Sequence, residues 1–96
     1  MLQVWDAFEL KGKGPALYCK DESFNNMSKN EIRKYLSTVR KIKIHDKNSN
    51  EWEFLIKGYD VASSISNQVA VAFLIDKPIV NSDLIIPTEV KLIQQH

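Results

Sequence analysis

The chain opens with an extended segment whose side chains alternate between two sides. One side carries three apolar residues and one acidic residue: Val4, Asp6, Phe8 and Leu10. This pattern is typical of a strand with one buried face. Segment 11–15 (KGKGP) interrupts the strand, because glycine allows positive φ and proline keeps the preceding residue out of the helical region. Residues 16–19 are extended again, so the pattern predicts two strands joined by a bend.

The paired glycines of this bend also raise the alternative of a phosphate-binding loop. Such a loop needs several converging backbone N–H groups, usually at the start of a helix. Here Pro15 has no N–H to donate, and a strand follows instead of a helix. The bend is therefore the favoured interpretation.

A capped helix is predicted in the middle of the chain. Ser28 and Glu31 match a capping box, in which each side chain bonds the backbone amide of the other residue. Four apolar residues follow at helical spacing and form one stripe: Ile32, Tyr35, Leu36 and Val39. The border of this stripe is basic and consists of Lys29, Arg33 and Arg40. The pattern predicts a helix over Ser28–Arg40.

Alternation returns after the helix. Segments 41–45 and 51–56 predict a hairpin around the polar turn 46–50, closed by Gly58-Tyr59-Asp60. The predicted inward side chains of this hairpin are Ile42, Ile44, Trp52, Phe54 and Ile56.

The last third of the chain predicts a loop and several short strands. Residues 61–68 are expected to form a surface loop from which Val61 and Ile65 reach the core. Segment 69–75 is apolar on both faces, which predicts a central strand. The later extended pieces are short, and Pro87 divides two of them, as expected at a sheet edge or bulge.

These elements predict a mainly β fold in a single domain, residues 1–96. Six or seven short strands with one helix favour a small antiparallel β-barrel of Greek-key type, because barrel closure removes exposed edges. The hydrophobic fraction of 44% and the charged fraction of 26% are ordinary for a globular protein, which excludes disorder over the whole length.

Parts of the sequence resemble the second domain of elongation factor Tu and related translation GTPases. The stretch VWDAFELKGKGPAL is similar to the opening strand of that domain, and its matching positions are Val4, Asp6, Phe8, Leu10, Gly12, Lys13 and Gly14. The stretches FLIKGYD and NQVAVAFLIDKPIVNSDLIIP are similar to later strands. The resemblance implies a barrel of that type. It implies neither GTP hydrolysis nor tRNA binding, because the phosphate-binding GTPase motif is absent and the capped helix replaces a glycine-rich segment.

Charge is distributed unevenly, although the net charge is only +1. Segment 29–47 holds seven basic and two acidic residues, a local charge of +5, between acidic flanks. The small total gives no general attraction to nucleic acid or membranes. No apolar run is long enough to span a bilayer and no signal peptide begins the chain, so a cytoplasmic protein without a membrane partner is expected.

Catalysis has little support from the residue types. One cysteine excludes an internal disulfide, and one cysteine with two distant histidines does not make a metal site. Cys19 and His45 would form a catalytic pair only if the fold brought them together, and the alternative is that Cys19 is buried. We therefore expect no enzymatic activity, no metal and no cofactor.

Two binding functions remain. The first is protein binding by a bacterial-type inhibitor or immunity protein that neutralises a toxin, or by an accessory subunit, with opposite charges steering the partner. Its predicted contact surface is the helix border or the acidic loops around Glu51 and Asp60. The predicted contact residues are Lys29, Arg33, Arg40, Lys41, Lys43, Glu51, Glu53 and Asp60.

The second function is a translation-associated one, in which the basic segment 29–47 contacts RNA or tRNA phosphates. Tyr35 and Trp52 would then stack on bases. The alternative for both aromatic residues is a place in the core, since both occupy positions predicted to face inward.

Overall fold

Seven antiparallel strands form a nearly closed barrel in the computed structural model, which describes residues 1–63 and 68–94. The strands are β1 (Gln3–Leu10), β2 (Gly14–Lys20), β3 (Val39–His45), β4 (Glu51–Ser63), β5 (Val69–Ile75), β6 (Thr88–Glu89) and β7 (Lys91–Gln94). One α-helix, α1 (Lys29–Leu36), and two short 3-10 helices, Glu22–Asn26 and Asn81–Asp83, lie between them. The predicted mainly β barrel is confirmed.

The strand order is β6-β1-β2-β5-β4-β3-β7. Strands β3, β4 and β5 are consecutive antiparallel neighbours, and β2 lies beside β5 instead of beside β3. The connection from β2 to β3, which contains α1, therefore passes over the positions of β5 and β4 in the sheet. This arrangement is a Greek key, as predicted.

The C-terminal segment links the two edges of the sheet. β6 pairs with β1, whereas β7 pairs with β3. Between them, the Val90 N–H donates a 2.9 Å hydrogen bond to the Leu2 carbonyl. Pro87, after a cis peptide bond, comes directly before the edge strand β6, in agreement with its predicted place.

The core is apolar and draws on nearly every strand. Alternation places four β5 residues inward, all buried: Val69, Val71, Phe73 and Ile75. The inward residues of the β3–β4 hairpin include Ile42, Ile44 and Phe54, which are also buried. From α1, Ile32 and Leu36 join the same cluster. Burial of these side chains is the main source of stability.

Strand β1 departs from simple alternation. Val4 pairs with Cys19, but Asp6 pairs with Tyr18, so Trp5 is the extra residue of a β-bulge. A bulge shifts the following residues to opposite faces. Ala7 is therefore buried, and the prediction that Asp6, Phe8 and Leu10 lie on the inward side with Val4 was wrong.

The helix is shorter than predicted. Its capping box is confirmed, with both hydrogen bonds between Ser28 and Glu31 at 3.1 Å. The helix ends at Leu36, and the prediction that it reaches Arg40 was wrong. The Ser37 hydroxyl donates to the Lys34 carbonyl at 2.7 Å, an alternative hydrogen bond at the helix end.

Strand β4 is longer than predicted. It extends to Ser63, so Gly58–Asp60 do not close the hairpin and Val61 is a buried strand residue. Its pairing with β3 ends at Leu55 and its pairing with β5 begins at Ile56, with a bulge at Lys57 directly after this change of partner. Ile65, also predicted to reach the core, lies outside the described residues.

The β1–β2 bend is a tight turn, as predicted. Gly12 has a φ of 78° and Gly14 a φ of 114°. Both values lie in the region that glycine adopts without steric cost. The Lys13 N–H donates to the Leu10 carbonyl at 2.9 Å.

Candidate protein-binding groove

The outer face of β3 and β4 brings four of the predicted contact residues together as ion pairs. Lys41 Nζ lies 3.0 Å from Glu53 Oε1, and Lys43 Nζ lies 3.1 Å from Glu51 Oε1. The hydrogen bond from Lys41 lowers the pKa of Glu53, and the hydrogen bond to Glu51 raises the pKa of Lys43. Part of the basic segment is thus neutralised by strand β4.

The acidic contact residues do not lie in loops, which corrects the prediction. Glu51 begins β4, and Asp60 lies within β4, beyond the bulge, where it pairs in register with Ala72. Glu51 and Asp60 consequently belong to different parts of the barrel surface. The reason is the length of β4, which passes from β3 to β5.

A largely apolar groove lies at the end of the β3–β4 pairing. Its volume is about 640 Å³. The lining residues are Arg40, Lys41, Leu55, Ile56, Lys57, Asp76, Ile93 and Gln94. Leu55 is 50% exposed, although its large apolar side chain gains from burial. Lys41 pairs with Leu55 on one side and with Ile93 on the other, so these three residues form one row across the strands.

Two β-bulges place basic residues on this groove. Arg40 is the extra residue between Val39 and Lys41, and Lys57 is the extra residue between Ile56 and Gly58. Bulges redirect side chains and are common beside functional sites.

Both of these cations are exposed. Within residues 1–63 and 68–94, neither Arg40 nor Lys57 forms a salt bridge. Arg40 Nη1 donates to the Ser37 carbonyl at 3.0 Å, which helps to orient the guanidinium.

The one acidic residue of the groove is already engaged. Asp76 Oδ1 accepts a 2.9 Å hydrogen bond from the Leu55 N–H. This bond satisfies a strand amide where β4 leaves β3. The groove lining holds three basic residues and one acidic residue, so its local charge is positive.

The predicted residues of the helix border lie elsewhere. Lys29 and Arg33 are exposed on α1 and do not line the groove. The Tyr59 hydroxyl donates to the Arg33 carbonyl at 3.1 Å and thereby joins the helix to β4. Of the predicted helix border, only Arg40 reaches the groove, because it belongs to β3.

The two aromatic residues considered for base stacking have different environments. Trp52 is half-buried, stacks on Phe54 with ring centroids 5.8 Å apart, and donates its Nε1–H to Asp46 Oδ2 at 2.9 Å. Tyr35 is 43% exposed and meets Phe24 edge to face, so its predicted place in the core was wrong. Trp52 has a structural role, and Tyr35 is the more exposed of the two rings.

Cys19 and His45 are not brought together. Cys19 is fully buried in β2 between Val4 and Val71, and this burial raises the pKa of its thiol. His45 is exposed at the end of β3, with Nε2 at 3.9 Å from Glu51 Oε2. Among the residues that the structure describes, no three His, Cys, Asp or Glu side chains are grouped to hold a metal ion.

Four residues that sequence analysis missed stand out on the surface: Trp5, Leu55, Lys57 and Ile93. Trp5, 44% exposed, borders a second groove of about 520 Å³, and Lys20 Nζ lies 5.6 Å from its ring centroid. The sequence holds a signal for Leu55, which is apolar at an outward position between Glu53 and Lys57. Nothing in the alternation shows that a bulge redirects Trp5 or Lys57.

No family model matches the chain, and no curated protein or solved structure matches it either. The resemblance to the second domain of elongation factor Tu stays a prediction. None of the helices in the described part of the chain has the length and apolar character needed to cross a bilayer.

Proposed function

We propose that this chain is a small β-barrel module without catalytic activity, which binds another protein through the groove at Arg40, Leu55 and Lys57. The observation that carries the proposal is the half-exposed Leu55 in a groove that is also lined by Arg40 and Lys57, two cations that form no ion pair within the described residues. A protein interface commonly combines an apolar centre with a polar rim. The groove has both parts on one surface.

Burial of the apolar lining supplies the favourable free energy in this proposal. Covering apolar surface contributes about 25 cal/mol per Å² before the costs of association. Leu55 and Ile93 offer such surface beside the stem of Lys41, whose ammonium remains near Glu53. The cations add orientation and faster encounter with a partner of opposite charge.

The inhibitor or immunity hypothesis is the narrower form of this proposal. It adds that the partner is a toxin whose activity falls on binding. Arg40, Lys41, Lys43, Glu51 and Glu53 all belong to the β3–β4 side of the barrel, which would be the inhibiting face.

RNA binding by segment 29–47 is less well supported. Lys41 and Lys43 are paired with carboxylates, and the Trp52 ring is stacked on Phe54. Phosphate contacts by these lysines would compete with their ion pairs. Recovery of RNA would therefore count against protein binding through the groove.

The test is site-specific photocrosslinking in the cells that make the protein. A benzophenone side chain replaces Leu55, and a matched control carries it at Val80, which is 55% exposed and lies outside the groove. We expect one protein adduct that forms from position 55 and is absent from position 80. Adducts with RNA, or the same adducts from both positions, would contradict the proposal.

A further inference from the structure

The two basic bulge residues of the groove suggest what kind of partner fits it. A bulge in β3 exposes Arg40, and a separate bulge in β4 exposes Lys57. Each strand thus breaks its hydrogen-bond ladder at a basic residue, and both residues line one groove. Two independent departures from regular pairing place positive charge beside the same apolar surface.

We infer that the groove binds an acidic segment of a protein that carries a bulky apolar side chain. This inference rests on the proposed function and deepens it. The apolar side chain lies against Leu55, Ile56 and Ile93, and carboxylates on either side of it meet Arg40 and Lys57.

Charge complementarity distinguishes this ligand from a basic or neutral segment. Lys41 is neutralised by Glu53, and the Asp76 carboxylate accepts the Leu55 amide. Arg40 and Lys57 remain as cations without an ionic partner among residues 1–63 and 68–94. A guanidinium receives a carboxylate through two parallel hydrogen bonds, whereas an ammonium acts as a compact charge.

The apolar floor distinguishes the ligand from a purely anionic one such as a phosphate group. A phosphate would use the two cations and leave Leu55 exposed. A leucine, isoleucine or phenylalanine in the segment removes that surface from water. Both features together define the ligand, and neither alone is sufficient.

The experiment measures binding of a short fluorescent peptide by anisotropy. In the peptide, one leucine is flanked by glutamates on both sides. Control peptides replace the leucine by glycine, or all glutamates by lysine, and a labelled oligouridine tests for RNA. We expect the acidic leucine peptide to bind, both control peptides to bind about tenfold more weakly or not at all, and oligouridine not to compete.

Protein variants locate the binding site. We expect Arg40→Glu and Lys57→Glu each to weaken binding about tenfold, equivalent to about 1.4 kcal/mol. Lys47→Glu makes the same charge change in the turn at the other end of the β3–β4 hairpin, and is expected to leave the affinity within about twofold because salt screens distant charges. Circular dichroism of each variant checks that it is folded.

The outcomes separate this inference from the proposed function. Equal binding of the lysine peptide, equal loss in Lys47→Glu, or tighter binding of oligouridine would overturn the acidic-segment inference. A protein adduct at position 55 would still stand in that case and support protein binding through the groove. Binding of the acidic peptide lost in Arg40→Glu and Lys57→Glu supports the inference.

Discussion

The two sides of this barrel share one interior but differ on the outside. On the side formed by β1, β2 and β5, several outward residues are apolar and half-buried: Phe8, Ala72 and Leu74. On the side formed by β3 and β4, most outward residues are charged and paired: Lys41, Lys43, Glu51 and Glu53. Leu55 is the large apolar exception there, and it lies in the candidate groove.

The difference shows that the core constrains only the inward residues of an alternating strand, so the outward residues can differ from one side to the other. Both sides bury their inward residues, as Phe73 of β5 and Phe54 of β4 demonstrate. The outward residues do not have to fill the core, so their chemical character reflects what the surface contacts. The exposed Leu55 is informative because the other outward residues of β3 and β4 around it are charged.

The hairpin turns of the two sides also differ. The β1–β2 turn uses Gly12 and Gly14 for its positive φ angles, whereas the β3–β4 turn has Ser49 at a φ of 65°. A residue with a Cβ pays a steric cost in that region, and glycine does not. The charged side thus carries a local strain that the apolar side avoids.

The largest expected effect tests whether each side of the barrel depends on the aromatic ring buried beneath it. Phe73→Ala and Phe54→Ala should each reduce the free energy of unfolding by about 3–5 kcal/mol, because each ring is fully buried. Urea denaturation measures the loss. Leu74→Ala, on the outward face beside Phe73, is the control and should cost about 1 kcal/mol. A loss of only about 1 kcal/mol in either phenylalanine variant would contradict the full burial of that ring.

The next effect concerns the glycine turn. Gly14→Ala should reduce the free energy of unfolding by about 1–3 kcal/mol, because a φ of 114° is strained for alanine. No heavy atom lies within 4 Å of the added Cβ, so the cost is a backbone cost. Gly58→Ala is the control: it has no positive φ, its Cβ would meet Leu74 at 3.4 Å, and it should change stability little. Equal losses in both variants would contradict this explanation.

An increase in the free energy of unfolding is expected for a glycine substitution in the β3–β4 turn. Ser49→Gly should raise the free energy of unfolding by roughly 0.5–1 kcal/mol, since relief of the left-handed conformation outweighs the greater flexibility of glycine in the unfolded chain. Thermal denaturation at neutral pH measures it. Asn48→Gly in the same turn lacks a positive φ to relieve and should not stabilise the protein. A lower midpoint for Ser49→Gly would show that Ser49 is unstrained.

The smallest effect is a pH dependence confined to the charged side. The hydrogen bond from Trp52, with backbone hydrogen bonds from Asn48 and Asn50, lowers the pKa of Asp46. A lowered pKa in the folded state means that the contribution is complete above the ordinary pKa of aspartate and is lost as pH falls through the folded value. Acid should therefore destabilise the wild type more than Asp46→Asn, as shown by urea midpoints measured from neutral to acidic pH. Parallel pH curves would refute a role for this carboxylate.

Some residues of the candidate groove could be predicted from the sequence, but the complete set of lining residues could not. Arg40 and Lys41 were predicted as contact residues from the basic segment. Their neighbour Leu55 follows from alternation alone, as an apolar residue on an outward face. Lys57 and Ile93 join the groove only through pairing of β4 and β7 with the rest of the sheet, which depends on contacts distant in sequence.

The sequence by itself determined the inward residues of β3, of β5 and of the first part of β4, and the capped start of α1. These features depend on side-chain periodicity and on hydrogen bonds between near neighbours. The tertiary structure alone decided the bulges at Trp5, Arg40 and Lys57, because a bulge is an extra residue opposite a single residue of the partner strand, and the side-chain pattern of one strand does not contain its pairing with another. The cations of the groove are exposed together for that reason.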